Sequence, residues 1–362
     1  MRVLFLAPQP FFRLRGTCLA LRRCLELYSE AGAEVDLVTF PFGEDLSLPG
    51  LTIHRLKALP LVRDVPIGPS WSKAAMDVPL LLKAAALRAT RRYDVIHASE
   101  EAALIGALLK GPRLIVDMDD VLSERLRGSG FLRFPPALAL VRALERWALS
   151  CADAVLTNSE DTTDYARKHG PAAGVHFYDH LPPLRAERPD PAQVRREQGW
   201  EGRDVILYAG NLEPYQGVDL LVDALPEIAR RRPRALCVVV GGRPEQIAAL
   251  RARAGGAPLL TPGPLPFEEA FRLMCAADVL VSPIVQPKAI PMKLYAYLAA
   301  GVPIVATDVS NHSQLLDRAG LPAPRVDELT DAVVAALERR PRPALIRQPT
   351  DAAGAALRRA LA

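Results

Sequence analysis

The 362-residue chain has few of the residues that staple small folds or hold metals, with five cysteines and six histidines. Cys18, Cys24, Cys151, Cys237 and Cys275 are scattered, odd in number, and form neither a CxxC pair nor a Cys/His metal spacing. That pattern argues against a disulfide framework or a structural zinc site and implies a reducing compartment. An excess of one charge is also missing: 45 basic residues face 41 acidic ones, a net of +4. Such a balance gives no reason to expect a nucleic-acid partner, so any basic surface must be local. Nor is there an uninterrupted apolar run of about 18 residues, as a transmembrane helix would need. The apolar start, Val3 to Ala7, meets Pro8 and Pro10 too soon for a signal-peptide core and reads as a first strand. The expected location is cytoplasmic, with contact at the inner face of a membrane left open.

Half of the residues are hydrophobic and 24% are charged, in short apolar runs punctuated by glycine and proline. This composition belongs to a globular protein, and the length exceeds what one core usually serves. The first unit of pattern is strand (Val3 to Ala7), a loop with Gly16, a helix through Leu19, Cys24 and Leu27, and strand Val35 to Thr39. Similar short runs follow at 52–56, 94–97, 114–117 and 154–157, with helical segments between most of them. Alternation of this kind predicts a parallel sheet covered on both faces. From Leu181 to about Arg203 the pattern breaks into a charged, Pro-containing stretch, which reads as the boundary. It then restarts with strand Val205 to Ala209, helix Val218 to Arg231 and strand Ala235 to Val240, and continues to Ile304 to Ala306. The expected organisation is two Rossmann-like, doubly wound α/β domains, residues 1–182 and 183–345. A tail or helix over 346–362 would pack back on the first. Ligands of such an architecture lie at the carboxyl ends of the strands, here in a cleft faced by loops of both halves.

Two segments of the second half suit an anion. Tyr208-Ala209-Gly210-Asn211 through Gln216-Gly217-Val218 is a strand emptying into a glycine-bounded loop that opens a helix. Backbone N–H groups in such a loop can cradle a phosphate, although a βα turn needs small residues anyway. The second segment, Ala289 to Thr307, places Pro291 in a first helical turn, Gly301 at the helix stop and Ile304 to Ala306 in the next strand. The free N–H groups of that helix favour a diphosphate, with Lys293 adding a cation; a solvated Lys293 is the plainer alternative.

The pattern Pro291-x-Lys293-x-Tyr295-x-Tyr297-x-Ala299-x-Gly301-x-Pro303, followed by Ile304-Val305-Ala306-Thr307, resembles the donor half of family-four retaining glycosyltransferases. Val238 to Gly242 and Cys275 to Pro283 support the likeness. It implies a GT-B fold and transfer of a sugar from a nucleotide sugar to a glycan or lipid-linked acceptor, without a metal or other cofactor. By this resemblance Gly210, Asn211, Gln216, Gly217, Gly241, Pro291, Met292, Lys293, Leu294 and Ala296 face the donor. The chain departs from the family where Lys288 and Ala296 stand in place of paired glutamates, the second of which binds the donor ribose. Asn211 and Gln216 likewise replace an arginine and a lysine on the diphosphate. Weaker donor binding, an atypical donor and lost activity all fit these changes.

On the first half the family places the loop after the first strand beside donor phosphates and acceptor, which here points to Arg15, Gly16 and Thr17, with Arg13 nearby; a solvated basic loop anchored by Phe11 or Phe12 is the equal alternative. Strand Leu114 to Asp117 runs into Asp119 and Asp120, and Asp119 occupies the position of a cleft histidine of the family. Either carboxylate could deprotonate an acceptor hydroxyl, and either could instead cap a helix. Asp117-x-Asp119 also has the form of a GT-A metal clamp, but the surrounding chain does not fit that fold. His97 and Glu100 follow another strand and point towards the cleft by topology, while Glu100 and Glu101 also suit a helix N-terminus. The stretch Arg125 to Trp147 mixes arginines with Phe131, Phe134, Leu138, Val141 and Trp147, either a membrane-surface patch or an ordinary amphipathic segment. A non-catalytic nucleotide- or glycan-binding protein is the alternative function, and a nucleotide-sugar epimerase a third.

Overall fold

The computed structural model describes residues 1–12, 16–60, 62–66, 68–109, 111–177, 189–285, 292–307, 328–339 and 352–362. The chain divides into two compact units, Met1–Pro183 with Gln348–Ala362, and Leu184–Arg347.

The first unit is built on β1 (Arg2–Ala7), β2 (Glu34–Thr39), β3 (Leu51–Arg55), β4 (Val95–Ser99), β5 (Arg113–Met118), β6 (Ala154–Thr157) and β7 (Val175–Phe177). All pair in parallel, in the order β3-β2-β1-β4-β5-β6-β7. Strands covered on both faces read as continuous apolar runs rather than alternating ones, and β1 is buried from Val3 to Ala7. One face is covered by the helix Gly16–Glu30, whose Cys18, Leu21, Cys24 and Leu25 share a core with Ala356, Leu357 and Ala360. Those last three lie on the C-terminal helix Ala352–Leu361, and Arg113 Nε donates to Ala360 O at 2.8 Å. The other face is covered by helices Trp71–Thr90, Ala102–Leu108 and Pro135–Ser150, which share a second core with the sheet.

The second unit has β8 (Asp204–Ala209), β9 (Ala235–Val240), β10 (Leu259–Gly263), β11 (Val279–Ser282) and β12 (Ile304–Ala306), again all parallel, in the order β10-β9-β8-β11-β12. Its helix Val218–Arg231 buries Val218, Leu221, Val222, Leu225 and Ile228, a spacing of three and four residues that lays one apolar stripe on the sheet. Asp278 fixes the first residues of β8, accepting from Val205 N at 2.8 Å and from Arg195 Nη1 at 3.0 Å.

Two features differ from the sequence reading. The stretch around residues 190–200 is structured: Asp190 caps a helix, Pro191–Glu197, by accepting from Ala192 N at 3.0 Å, and Trp200 is buried behind it. Proline at the first helical position and an aspartate before it favour a helix start, which the charged composition concealed. β7 was also not anticipated; three residues are too few to show a period. Among the described residues no helix is long and apolar enough to cross a membrane.

Candidate functional site

In the second unit the carboxyl ends of β8 and β9 carry Gly210 and Gly241. Their backbones pass so closely that a Cβ on Gly241 would overlap Gly210 O. The chain leaves β8 through an Asx turn, Asn211 Oδ1 accepting from Glu213 N at 3.2 Å. A short 3₁₀ turn, Pro214–Gln216, then leads to Gly217 at φ 65° and ψ 21°, and the helix starts at Val218. A side chain at 217 would be both strained and in collision with Pro283 O.

Lys293, in the first turn of the helix Met292–Ala300, reaches this loop. Its Nζ donates to Gln216 Oε1 and, at 3.2 Å, to the Tyr208 hydroxyl, and it lies 4.3 Å from the Tyr208 ring centre. The Tyr208 hydroxyl donates to Asn211 O at 2.6 Å. Burial pushes the Lys293 ammonium down to about 7, and no carboxylate among the described residues counters that effect. Tyr297 secures the helix: its hydroxyl accepts from Ala209 N at 2.9 Å and donates to Val281 O at 3.3 Å. Gly210, Asn211, Gln216, Gly217, Gly241 and Lys293 are therefore brought to one place.

Other donor-side expectations fare differently. Leu294 and Ala296 are buried, with their side chains turned into the unit. Leu294 still falls within the first four residues of the helix, whose N–H groups have no partner inside it, whereas Ala296 is the fifth. Pro291 and the Met292 side chain lie outside the described residues, as does Lys288.

In the first unit Asp119 and Asp120 follow β5. Asp119 Oδ1 accepts from Asn158 Nδ2 at 3.1 Å, at the end of β6. Asp120 Oδ1 is 3.5 Å from Arg125 Nε, and 38% of its side chain is exposed. Burial pushes the carboxyl up to about 6 against the pull of Arg125, with the nearby carboxylates Glu100 and Asp119 adding to the rise. Asp117 does not join them: it is turned into the core, its Oδ2 3.8 Å from His97 Nε2. Gly16 and Thr17 open the first helix, while Arg13 and Arg15 lie outside the described residues.

Two acceptor-side expectations are overturned. His97 is wholly buried in the middle of β4, stacked 4.2 Å from the Phe5 ring and hydrogen-bonded through Nδ1 to the Tyr28 hydroxyl at 3.0 Å. It is a core residue that cannot meet an acceptor there. Cys24, His97 and Asp117 have ligand atoms within 4.8 Å of one another, the one such group among the described residues, but all three are buried between the first helix and its sheet. Glu100, at φ 52°, is pinned between Lys73 Nζ at 2.8 Å and Arg125 Nη1 at 3.2 Å. Its charge is spent inside the protein.

Glu101 shares the same two cations, at 2.7 Å from Lys73 and 3.0 Å from Arg125. Asp77 completes the cluster, its carboxyl pushed up to about 8 by burial and by Glu101. Lys73, Asp77, Arg125 and Tyr208 were missed from the sequence. Tyr208 lies next to the last residue of β8, just before the Gly210 loop, and that nearness was the one usable signal.

Comparison with known proteins agrees with this architecture. The whole chain is similar in structure to sucrose-phosphate synthase from Thermosynechococcus elongatus (TM-score 0.75, 20% identity, 99% of this chain and 94% of that one). It is also similar to WaaG, a glycosyltransferase involved in lipopolysaccharide biosynthesis (TM-score 0.72, 17% identity, 99% and 94%). Likeness at these identities is one of fold, and the fold is GT-B. Residues 203–339 match the family described as "Glycosyl transferases group 1", and residues 16–178 a "Glycosyl transferase 4-like domain". By these two matches, which together span most of it, the chain falls among the glycosyltransferase families, its second half in group 1. It is 31% identical over 228 residues to a GDP-mannose-dependent alpha-(1-6)-phosphatidylinositol monomannoside mannosyltransferase of Mycolicibacterium smegmatis, covering 58% of this chain and 56% of that protein. It is 26% identical over 219 residues to D-inositol 3-phosphate glycosyltransferase of Jonesia denitrificans, covering 53% and 51%. The chain thus spans about half the length of the curated relatives it matches.

Proposed function

We propose that this protein transfers a sugar, with retention and without a metal, from a nucleotide diphosphate sugar on its second unit to a glycan or lipid-linked acceptor on its first. The observation that carries the reading is Lys293: a half-buried cation whose described partners are neutral, set beside the Gly210 loop. A diphosphate leaving group gathers negative charge as the glycosidic bond breaks, and a fixed cation with backbone N–H groups stabilises it. Lys293 thus supplies the positive charge of a loop in which Gln216 stands where the family has a lysine, and Gln216 orients it. On the acceptor side Asp120 is the group able to take a proton from a hydroxyl near neutral pH, and Asp119, fixed by Asn158, lies beside it in sequence.

The relatives support the substrate class. One is named for GDP-mannose and a phosphatidylinositol mannoside, and a solved structure of HepE from Anabaena, 18% identical, holds UDP-glucose. A panel of UDP- and GDP-sugars, with glycan and lipid-linked acceptors and with chelator present, tests the reading by product analysis. Glycosylated product with the anomeric configuration of the donor is expected. Saturable nucleotide binding with no transfer to any acceptor would favour the non-catalytic alternative, which Ala296 in place of the ribose-binding glutamate motivates.

A further inference from the structure

The helix layer Trp71–Thr90, Ala102–Leu108 and Pro135–Ser150 buries one apolar face against its sheet, through residues such as Met76, Leu80 and Leu149. Its outer face is apolar as well. On Trp71–Thr90 the side chains of Trp71, Val78 and Leu82 are 75%, 60% and 66% exposed, at spacings of seven and four residues that align them along one stripe. On Pro135–Ser150, Leu140, Leu144 and Trp147 repeat the pattern at spacings of four and three. Leu108 on the short middle helix and Phe134 just before the third are exposed too. Trp71 meets Phe131 at 4.9 Å between ring centres, joining the first helix to the segment that enters the last. A helix apolar all round is usually surrounded on all sides, yet these are covered on only one.

Within the three helices and the segment that leads into the last, the exposed charge is mostly basic. The three helices contain two acidic residues, Asp77 and Glu145, and both are turned inward. Asp77 Oδ1 is buried, and Glu145 accepts from Leu122 N, Ser123 Oγ and the Tyr165 hydroxyl. Arg127, Arg133 and Arg146 are exposed, and Lys83 and Arg142 half-buried, with Glu124 the exposed carboxylate of the segment between residues 122 and 150. We infer that this outer face seats the protein on an anionic lipid bilayer, with Trp71, Leu82, Leu144 and Trp147 entering the headgroup boundary and the arginines meeting lipid phosphates. Pairing with a second copy through the same face would set the arginines of one chain against those of the other, which like-charge repulsion opposes.

Co-sedimentation with vesicles tests this and needs no sugar transfer, so its failure leaves the donor-site reading untouched. Vesicles of phosphatidylglycerol and phosphatidylcholine in equal parts should bind the protein, and vesicles of phosphatidylcholine alone should bind it far less. Arg127→Gln and Arg133→Gln should each weaken binding about fivefold. Leu82→Glu with Leu144→Glu should weaken it at least about tenfold, with the thermal transition unmoved because both side chains are already exposed. Val78→Ser is a milder variant to the same end. No binding to anionic vesicles, or binding indifferent to these substitutions, overturns the inference. So does a stable dimer that Leu82→Glu dissociates, which would give the face to a second copy.

Discussion

Lys293 is costly where it stands, because burial opposes its charge and its described partners are a hydroxyl, an amide oxygen and an aromatic ring. A bound diphosphate would restore the charged form, so donor binding should take up a proton. The sign follows from the direction of the shift: the ammonium, lowered to about 7, is present below that value and lost above it. Donor affinity should therefore fall as pH rises past about 7. Asp120, raised to about 6, acts as a base only once ionised, so acceptor deprotonation should improve as pH rises through that value. Together they predict a narrow bell for kcat/KM against pH, with its maximum between the two, measurable by initial rates under limiting donor. A profile flat across that range would remove both groups from the rate-determining chemistry. His97 shows the limit of reading residues by their position along a strand. Chain order brings it near the strand end, but the pleat aims it at Tyr28 and Phe5 in the core.

At the scale of elements, the turn from β8 into Val218–Arg231 rests on Gly217. Alanine there would have to hold φ near 65° with its Cβ against Pro283 O. Gly217→Ala should cost about 1–3 kcal/mol in denaturant titrations, and a neutral result would mean that the turn can relax elsewhere. The ion cluster at the ends of β4 and β5 gives a second prediction. Asp77 keeps its proton in the folded protein up to about 8, while an unfolded aspartate loses it near 4. The stability tied to that proton is full below the unfolded value and is lost as pH rises through the folded one. Asp77→Asn, neutral throughout, should flatten the decline over that window, and an unchanged slope would place the shared proton on another group. The parallel strands and the glycine loop were legible in the sequence because local apolar runs and punctuation encode them. The cluster of Lys73, Asp77, Glu100, Glu101 and Arg125 was not, since its members come from separate elements and meet only in the fold. Nor was the outer face of Trp71–Thr90 legible, because an apolar helix does not announce which of its sides meets the sheet.

At the scale of the molecule, the chain closes its first unit with its last helix, and Leu357 lies in the same core as Cys24 and Leu25. Leu357→Ala should cost that unit about 2–5 kcal/mol, read by calorimetry as a lowered transition. A loss below about 0.5 kcal/mol would mean that the helix is not part of that core. The central claim, that the second unit binds a nucleotide diphosphate sugar through Lys293 and the Gly210 loop, is tested most directly by calorimetric titration. UDP, GDP and their sugar conjugates would be titrated, in chelator, into the wild-type protein and Lys293→Ala. The expected result is saturable binding of one nucleotide class to the wild type, weakened at least about tenfold in the variant. Binding equal in both proteins, or no saturable binding of any of these nucleotides, would contradict it.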